Sequence, residues 1–209
     1  MRRTTLALML AVATPAMAQD RPQLTPTRDV AVTYRMIGGG APAAAPPGAP
    51  GSASTVSWSA AQGLKRTDMP GMGYMVADHR AGRAFMVMEA MRAIMDVPFG
   101  QAMRQQLNSP TATFRREGTA TVAGLACTIW SVQDGPSQGR SCITSEGVML
   151  RAEGTHQGQT GGMEATQVAF GPQDPAHFQR PAGYQSMQMP QGMPPGAVPG
   201  GRQPGVPPK

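Results

Sequence analysis

The sequence predicts a mainly β (α+β) domain: a curved antiparallel sheet or half-barrel of about 8–10 strands with one or two short helices. Three observations carry that expectation. Apolar and polar residues alternate with period two over most of the chain. Glycines and short polar runs interrupt the alternation at strand-length intervals. Only one interior stretch switches to a helical period.

The first residues, MRRTTLALMLAVATPAMAQD, read as a secretory signal peptide over 1–18. Arg2 and Arg3 form a positive n-region and Leu6 to Val12 an apolar stretch too short to span a bilayer. Ala16-Met17-Ala18 is a small-x-small site, so cleavage is expected after Ala18. The destination is the periplasm or beyond, an oxidising compartment. Loss of the two arginines takes the formal charge from +6 to +4. That excess suits attraction to an anionic envelope membrane surface. Its small clusters, Lys65-Arg66 and Arg115-Arg116, leave no nucleic-acid footprint.

Glycine and proline, 26 and 21 in number, concentrate in two places. Residues 38–54 lack charge, aromatics and periodicity and are expected to form a flexible insertion. Residues 185–209 read as a disordered Pro/Gly/Met-rich tail on the same grounds. A single domain over 19–184 remains, with roughly 130 to 140 residues available for a core.

Taken in order, DVAVTYRMI (29–37) is a half-buried strand with Val30, Val32, Tyr34 and Met36 on one face. A second strand resumes at Val56 and Trp58 and runs toward Leu64. Tyr74 to Ala77 and Arg83 to Met88 form a hairpin turned by HRAGR, where Gly82 supplies positive φ. Phe99, Met103 and Leu107 recur four apart and predict a short helix over 98–107, stopped at Asn108-Ser109-Pro110. From 111 the alternation returns, with Gly118 and Gly124 marking a turn and a bulge or bend. RSCITSE, GVMLRAEG and MEATQVAFG follow as strands, and DPAHF as a helical turn.

TVAGLACTIWSV, SCITSEGVMLR and Phe178-x-x-Pro181-x-Gly183-Tyr184, taken with the preceding DHRAGRAFMVMEAMRAIMDVP, resemble an uncharacterised family of exported bacterial proteins. That family is similar in pattern to the periplasmic lipoprotein-carrier (LolA/LppX-like) half-barrel. The resemblance covers about residues 28 to 184 without the Gly/Pro insertion. It implies a fold and a cavity for an apolar ligand such as a lipid or lipoprotein-like group, and it implies no chemistry.

No Gly-x-Ser-x-Gly or Ser-x-x-Lys motif is present. His79, His156 and His177 are scattered, and nothing in their spacing brings Asp78, Glu89 and Asp96 together. The expectation is a protein without catalytic residues or cofactor. Two cysteines and three histidines match no compact zinc spacing. The 17 methionines raise two ideas. Thioether sulfur suits Cu(I), and Met187, Met189 and Met193 cluster in the tail, with Met69, Met72 and Met75 as a second group. Alternatively, flexible polarizable side chains suit an adaptable apolar surface. AFMVMEAM reads as one strand apolar on both faces, and Phe85, Met86, Val87, Met88, Met91 and Trp130 are the expected cavity lining. A structural envelope protein without a small ligand is the third reading.

Cys127 and Cys142 lie fifteen positions apart, in strands joined by QDGPSQGR. A hairpin centred between Gly135 and Pro136, with facing residues summing to about 270, puts the cysteines almost opposite. In an oxidising compartment the pair is expected to be a disulfide rather than a redox or metal site.

Overall fold

The computed structural model describes residues 21–38, 53–97, 111–135, 137–156 and 159–187. The predicted signal peptide, most of the Gly/Pro insertion, the helix expected at 98–107 and the tail beyond Met187 lie outside them.

All the described strands join one sheet. They are β1 (Val30–Gly38), β2 (Ala53–Ser59), β3 (Leu64–Met69), β4 (Gly73–Asp78), β5 (Arg83–Met88), β6 (Ala93–Val97), β7 (Thr113–Val122), β8 (Leu125–Asp134), β9 (Ser137–Ile143), β10 (Met149–His156), β11 (Gln159–Phe170) and β12 (Gln185–Met187). The spatial order is β12-β6-β5-β4-β3-β2-β1-β11-β10-β9-β8-β7. Two meanders, β1–β6 and β7–β11, are thus sewn together by the antiparallel pairing of β1 with β11. Only the β12–β6 pair is parallel.

The sheet has more strands than the 8–10 expected, and its described helical content is two 3-10 turns, Glu89–Met91 and Pro175–Phe178. Two of the additional strands have identifiable causes. β3, LKRTDM, has no apolar alternation and is half-buried throughout. β6 was hidden because AFMVMEAM reads as one continuous strand. The chain instead leaves the sheet after Met88, and Arg92 takes a left-handed φ of 46° before β6 begins. Gln185–Met187, the first residues of the expected tail, form the third, β12.

The larger core gathers where the meanders meet. Val30, Val32 and Tyr34 of β1 pack with Trp58, Cys127, Cys142, Val148, Leu150 and Ala165. The alternation of β11 breaks between its pairings Thr33↔Gln167 and Tyr34↔Ala165. Thr166 is the extra residue of this bulge, and the shift lets Ala165 follow Val168 and Phe170 into the core. Tyr34 Oη donates to the carbonyl of Met149 at 2.6 Å, and burial pushes its phenol pKa well above the usual value. Asp29 ties the start of β1 to two other segments, accepting from the amides of Ala60 at 2.7 Å and Gln173 at 3.2 Å.

Gly118 and Gly124 divide their roles. The register slips between Arg116 and Gly118, whereas Ala123 and Gly124, both at positive φ, turn β7 into β8. Gly147, at φ +83°, has another constraint. A Cβ there would stand 2.3 Å from the carbonyl oxygen of Thr25. The N-terminal segment crosses at this point, with the Thr27 amide donating to Glu146 O at 3.0 Å.

The cysteine hairpin closes with Asp134 facing Ser137, so facing residues sum to 271 and Cys142 pairs with Ile129. Cys127 is therefore diagonal to Cys142 rather than opposite it. Two residues along a strand return to the same face, and the Cα atoms are 5.4 Å apart with the sulfurs bonded. A disulfide fits an oxidising compartment.

Candidate functional site

Strands β4–β6 are apolar on both faces, and the faces differ in chemistry. On one, the register aligns Tyr74, Val87 and Ile94, with Val76 beside Phe85. These residues form a core with Phe178, against which Leu64 and Tyr184 pack. The 3-10 turn Pro175–Phe178 delivers Phe178. Asp174 caps it by accepting from the Ala176 amide at 2.8 Å, and Pro175 presets φ at the first position.

Arginines hold this C-terminal clasp against the sheet. Arg66 donates to the His177 carbonyl at 2.9 Å, and its guanidinium lies 3.6 Å from the Tyr74 ring centroid. Arg180 pairs with Asp96 while standing 4.8 Å from the Phe85 ring centroid. Arg92 approaches Tyr184 at 5.2 Å. Each guanidinium is placed to gain from the ring quadrupole.

The opposite face carries methionine and alanine. Met75 faces Met86, Met86 faces Met95, and Met95 faces Met187. Four thioethers thus stand in one row across four adjacent strands. Met88, Ala93 and Met95 form a buried cluster with Met86 packed against it. Ala77, Ala84 and Val97 continue the same face.

The expected cavity residues are divided among several sites. Phe85 and Val87 join the clasped face, and Met86 and Met88 the methionine face. Met91 is 56% exposed in the 3-10 turn. Trp130 belongs to the other meander, buried on β8 with the Arg116 guanidinium 5.3 Å from its ring. The structure does not bring the six around one cavity. Of the tail methionines, Met187 is placed in β12 and Met189 and Met193 lie outside the described residues. In the second group, Met72 is 57% exposed at the β3–β4 turn, while Met69 and Met75 lie on the methionine face.

A polar groove of about 510 Å³ lies on the β7–β11 meander, lined by Thr113, Arg115, Ser131, Arg140 and Glu153 among others. Arg140 bridges to Glu117 across it at 2.6 Å. Some of its residues, such as Thr113, Arg115, Ser131 and Glu153, belong to strands predicted from the sequence, whereas Gln138, Gly139, Thr155 and Thr160 lie outside them. The groove exists only once these strands are assembled side by side.

Trp58, Lys65 and His79 form a second group that periodicity did not reveal. Trp58 faces Lys65 directly and meets His79 edge-on at 5.2 Å. Burial, then the Lys65 charge, pulls the His79 pKa down, and burial lowers that of Lys65. A depressed histidine pKa means the unfolded chain takes up the proton first. The contribution of His79 is complete above its unfolded pKa of about 6.5 and is lost as pH falls below it. Urea midpoints at pH 7.5 and 5.5 should therefore separate more for the wild type than for His79→Gln. Equal separations would remove His79 as the titrating group.

The carboxylates considered for catalysis have separate structural partners or positions. Asp78 accepts from the amides of Arg80 and Ala81 in the β4–β5 turn, Asp96 pairs with Arg180, and Glu89 opens an exposed 3-10 turn. Among the described residues no group of three or more His, Cys, Asp or Glu is placed to hold a metal ion.

Among solved structures the chain is similar to an uncharacterized conserved protein from Thermus thermophilus. The TM-score is 0.54 at 10% identity, covering 78% of this chain and 91% of that one. It is also similar to the Pseudomonas aeruginosa MucA/MucB complex structure, with TM-score 0.48 and 15% identity over 80% of this chain and 62% of that one. A LolA superfamily protein from Nitrosomonas europaea matches with TM-score 0.26 and 5% identity over 76% of this chain and 93% of that one. No family model and no curated protein matches the chain. At these identities the likeness is one of fold.

Proposed function

We propose that the protein is a non-enzymatic binding or carrier protein of the periplasm that accommodates an apolar group, a lipid or lipoprotein-like ligand. The observation that supports this reading is the pair of apolar faces on β4–β6. One face is filled by Phe178 and Tyr184. The other is built from methionine, whose flexible and polarizable side chain adapts to varied apolar shapes. A strand buried only against its own core favours β-branched and aromatic residues, which is what the clasped face contains.

Native mass spectrometry of the mature protein, together with titration of the fluorescent probe 1-N-phenylnaphthylamine, tests the proposal. A co-purifying lipid or saturable probe binding that weakens in Met86→Gln supports it. Absence of both overturns it.

A further inference from the structure

We propose that Met86, Met88 and Met95 form a trigonal binding site for a soft monovalent cation, Cu(I), on the methionine face of β4–β6. Met86 and Met88 are two residues apart on β5 and therefore project from the same face. Met95 stands directly across from Met86 on β6. The three side chains belong to one packed cluster, with Met88 and Met95 only 7% and 6% exposed. Facing side chains on neighbouring strands start about 4.5–5.5 Å apart at Cβ. Three rotatable side-chain bonds let each sulfur move from there toward a shared centre.

The choice of residue points to sulfur chemistry. On the reverse side the same strands use Tyr74, Val76, Phe85, Val87 and Ile94, the residue types that pack well on a pleated surface. A face that needed only to be apolar could use them too. Thioethers are neutral, soft ligands that select Cu(I) over hard divalent ions, and a buried site suits a weakly hydrated soft ion.

The register also supplies an entry. Met187 faces Met95 from the edge strand β12 and is 42% exposed. Met75 flanks Met86 on the other side. A cation taken up at the sheet edge by Met187 passes to the buried triad through a neighbouring thioether. The sequence continues past Met187 with Met189 and Met193. The proposal thus places the entrance at Met187 and the holding site on the sheet.

The test uses the mature chain labelled with 13C at the methionine methyl groups. Ag(I) serves as a redox-inert probe for NMR, and anaerobic Cu(I) titration against bicinchoninate measures affinity. The expected result is one equivalent bound, with shifts at the Met86, Met88 and Met95 methyls. The Met86→Leu/Met95→Leu variant conserves volume and apolarity, so its near-UV spectrum stays as in the wild type. Its Cu(I) affinity falls by roughly tenfold or more, because two of three soft ligands are gone. Met189→Leu/Met193→Leu retains the one-equivalent site. Shifts confined to Met187, Met189 and Met193, no shifts at all, or an unchanged affinity in Met86→Leu/Met95→Leu would each overturn the site. Cation binding and lipid or probe binding are measured separately, so failure here leaves the apolar-ligand reading standing, and failure of that reading leaves this one standing.

Discussion

Replacing Phe178 by alanine should destabilise the protein by about 3–5 kcal/mol, the range for deleting a buried aromatic side chain. Phe178 is 4% exposed and is the residue through which the C-terminal segment enters the core of β3–β6. The effect should also be local. Pro175–Phe178 and Gln185–Met187 bracket a single segment, and the Gln185 amide donates to the Arg92 carbonyl at 2.9 Å as β12 docks. Once Phe178 no longer anchors the clasp, a three-residue parallel strand has little to hold it to β6. Hydrogen–deuterium exchange should then accelerate in peptides covering 93–97, while β7–β11 keeps its protection. Uniform acceleration across both meanders would show that the clasp stabilises the whole sheet rather than one half.

Removing the disulfide should lower stability by about 3 kcal/mol, the chain-entropy value for a loop of this length. The cross-link joins Cys127 on β8 to Cys142 on β9, and both are 4% exposed in the central core. It restricts the unfolded chain and also holds β8 and β9 together where they meet Val148 and Leu150. Urea unfolding of the oxidised protein against Cys127→Ala/Cys142→Ala measures the effect. Reduced and non-reduced peptide maps of the protein check that the bond forms. A variant as stable as the oxidised protein would show that strand pairing alone fixes the hairpin.

Local features were legible where a residue acts through its neighbours. The β4–β5 hairpin, with Gly82 at φ 63°, follows from period-two alternation around HRAGR. The Pro175–Phe178 turn follows from an Asp-Pro start. The cysteine hairpin was placed in the right loop: a centre between Gly135 and Pro136 makes facing residues sum to 271, as observed. The two cysteine numbers fall two short of that sum, so the disulfide is diagonal. β6 was illegible because Met88 to Met91 continues an apolar run, and the left-handed Arg92 that ends it is not a residue type that announces such a turn. β12 was hidden by composition: QSM resembles the tail that follows it and becomes a strand only because Phe178 and Tyr184 bring it to the open edge of β6.

The candidate site divides in the same way. Methionine abundance and the doubly apolar strand were visible in AFMVMEAM, so the residues Phe85, Met86, Val87 and Met88 could be named. Their assignment to opposite faces follows from period two. Their partners do not, because Met75, Met95 and Met187 meet Met86 only through three separate strand pairings.

The sequence by itself determined that this chain makes a β-domain with a cysteine-bearing hairpin, since alternation, turn glycines and capping residues act over a few positions. Only the tertiary structure decided that β1 and β11 join two meanders, that Ala165 turns inward, and that four methionines stand in a row. Those outcomes depend on register between segments as many as 140 positions apart, as in the Val30↔Phe170 pair. Register is settled by the bulges and by the packing of the assembled faces, and a one-residue slip reverses which side chains are buried.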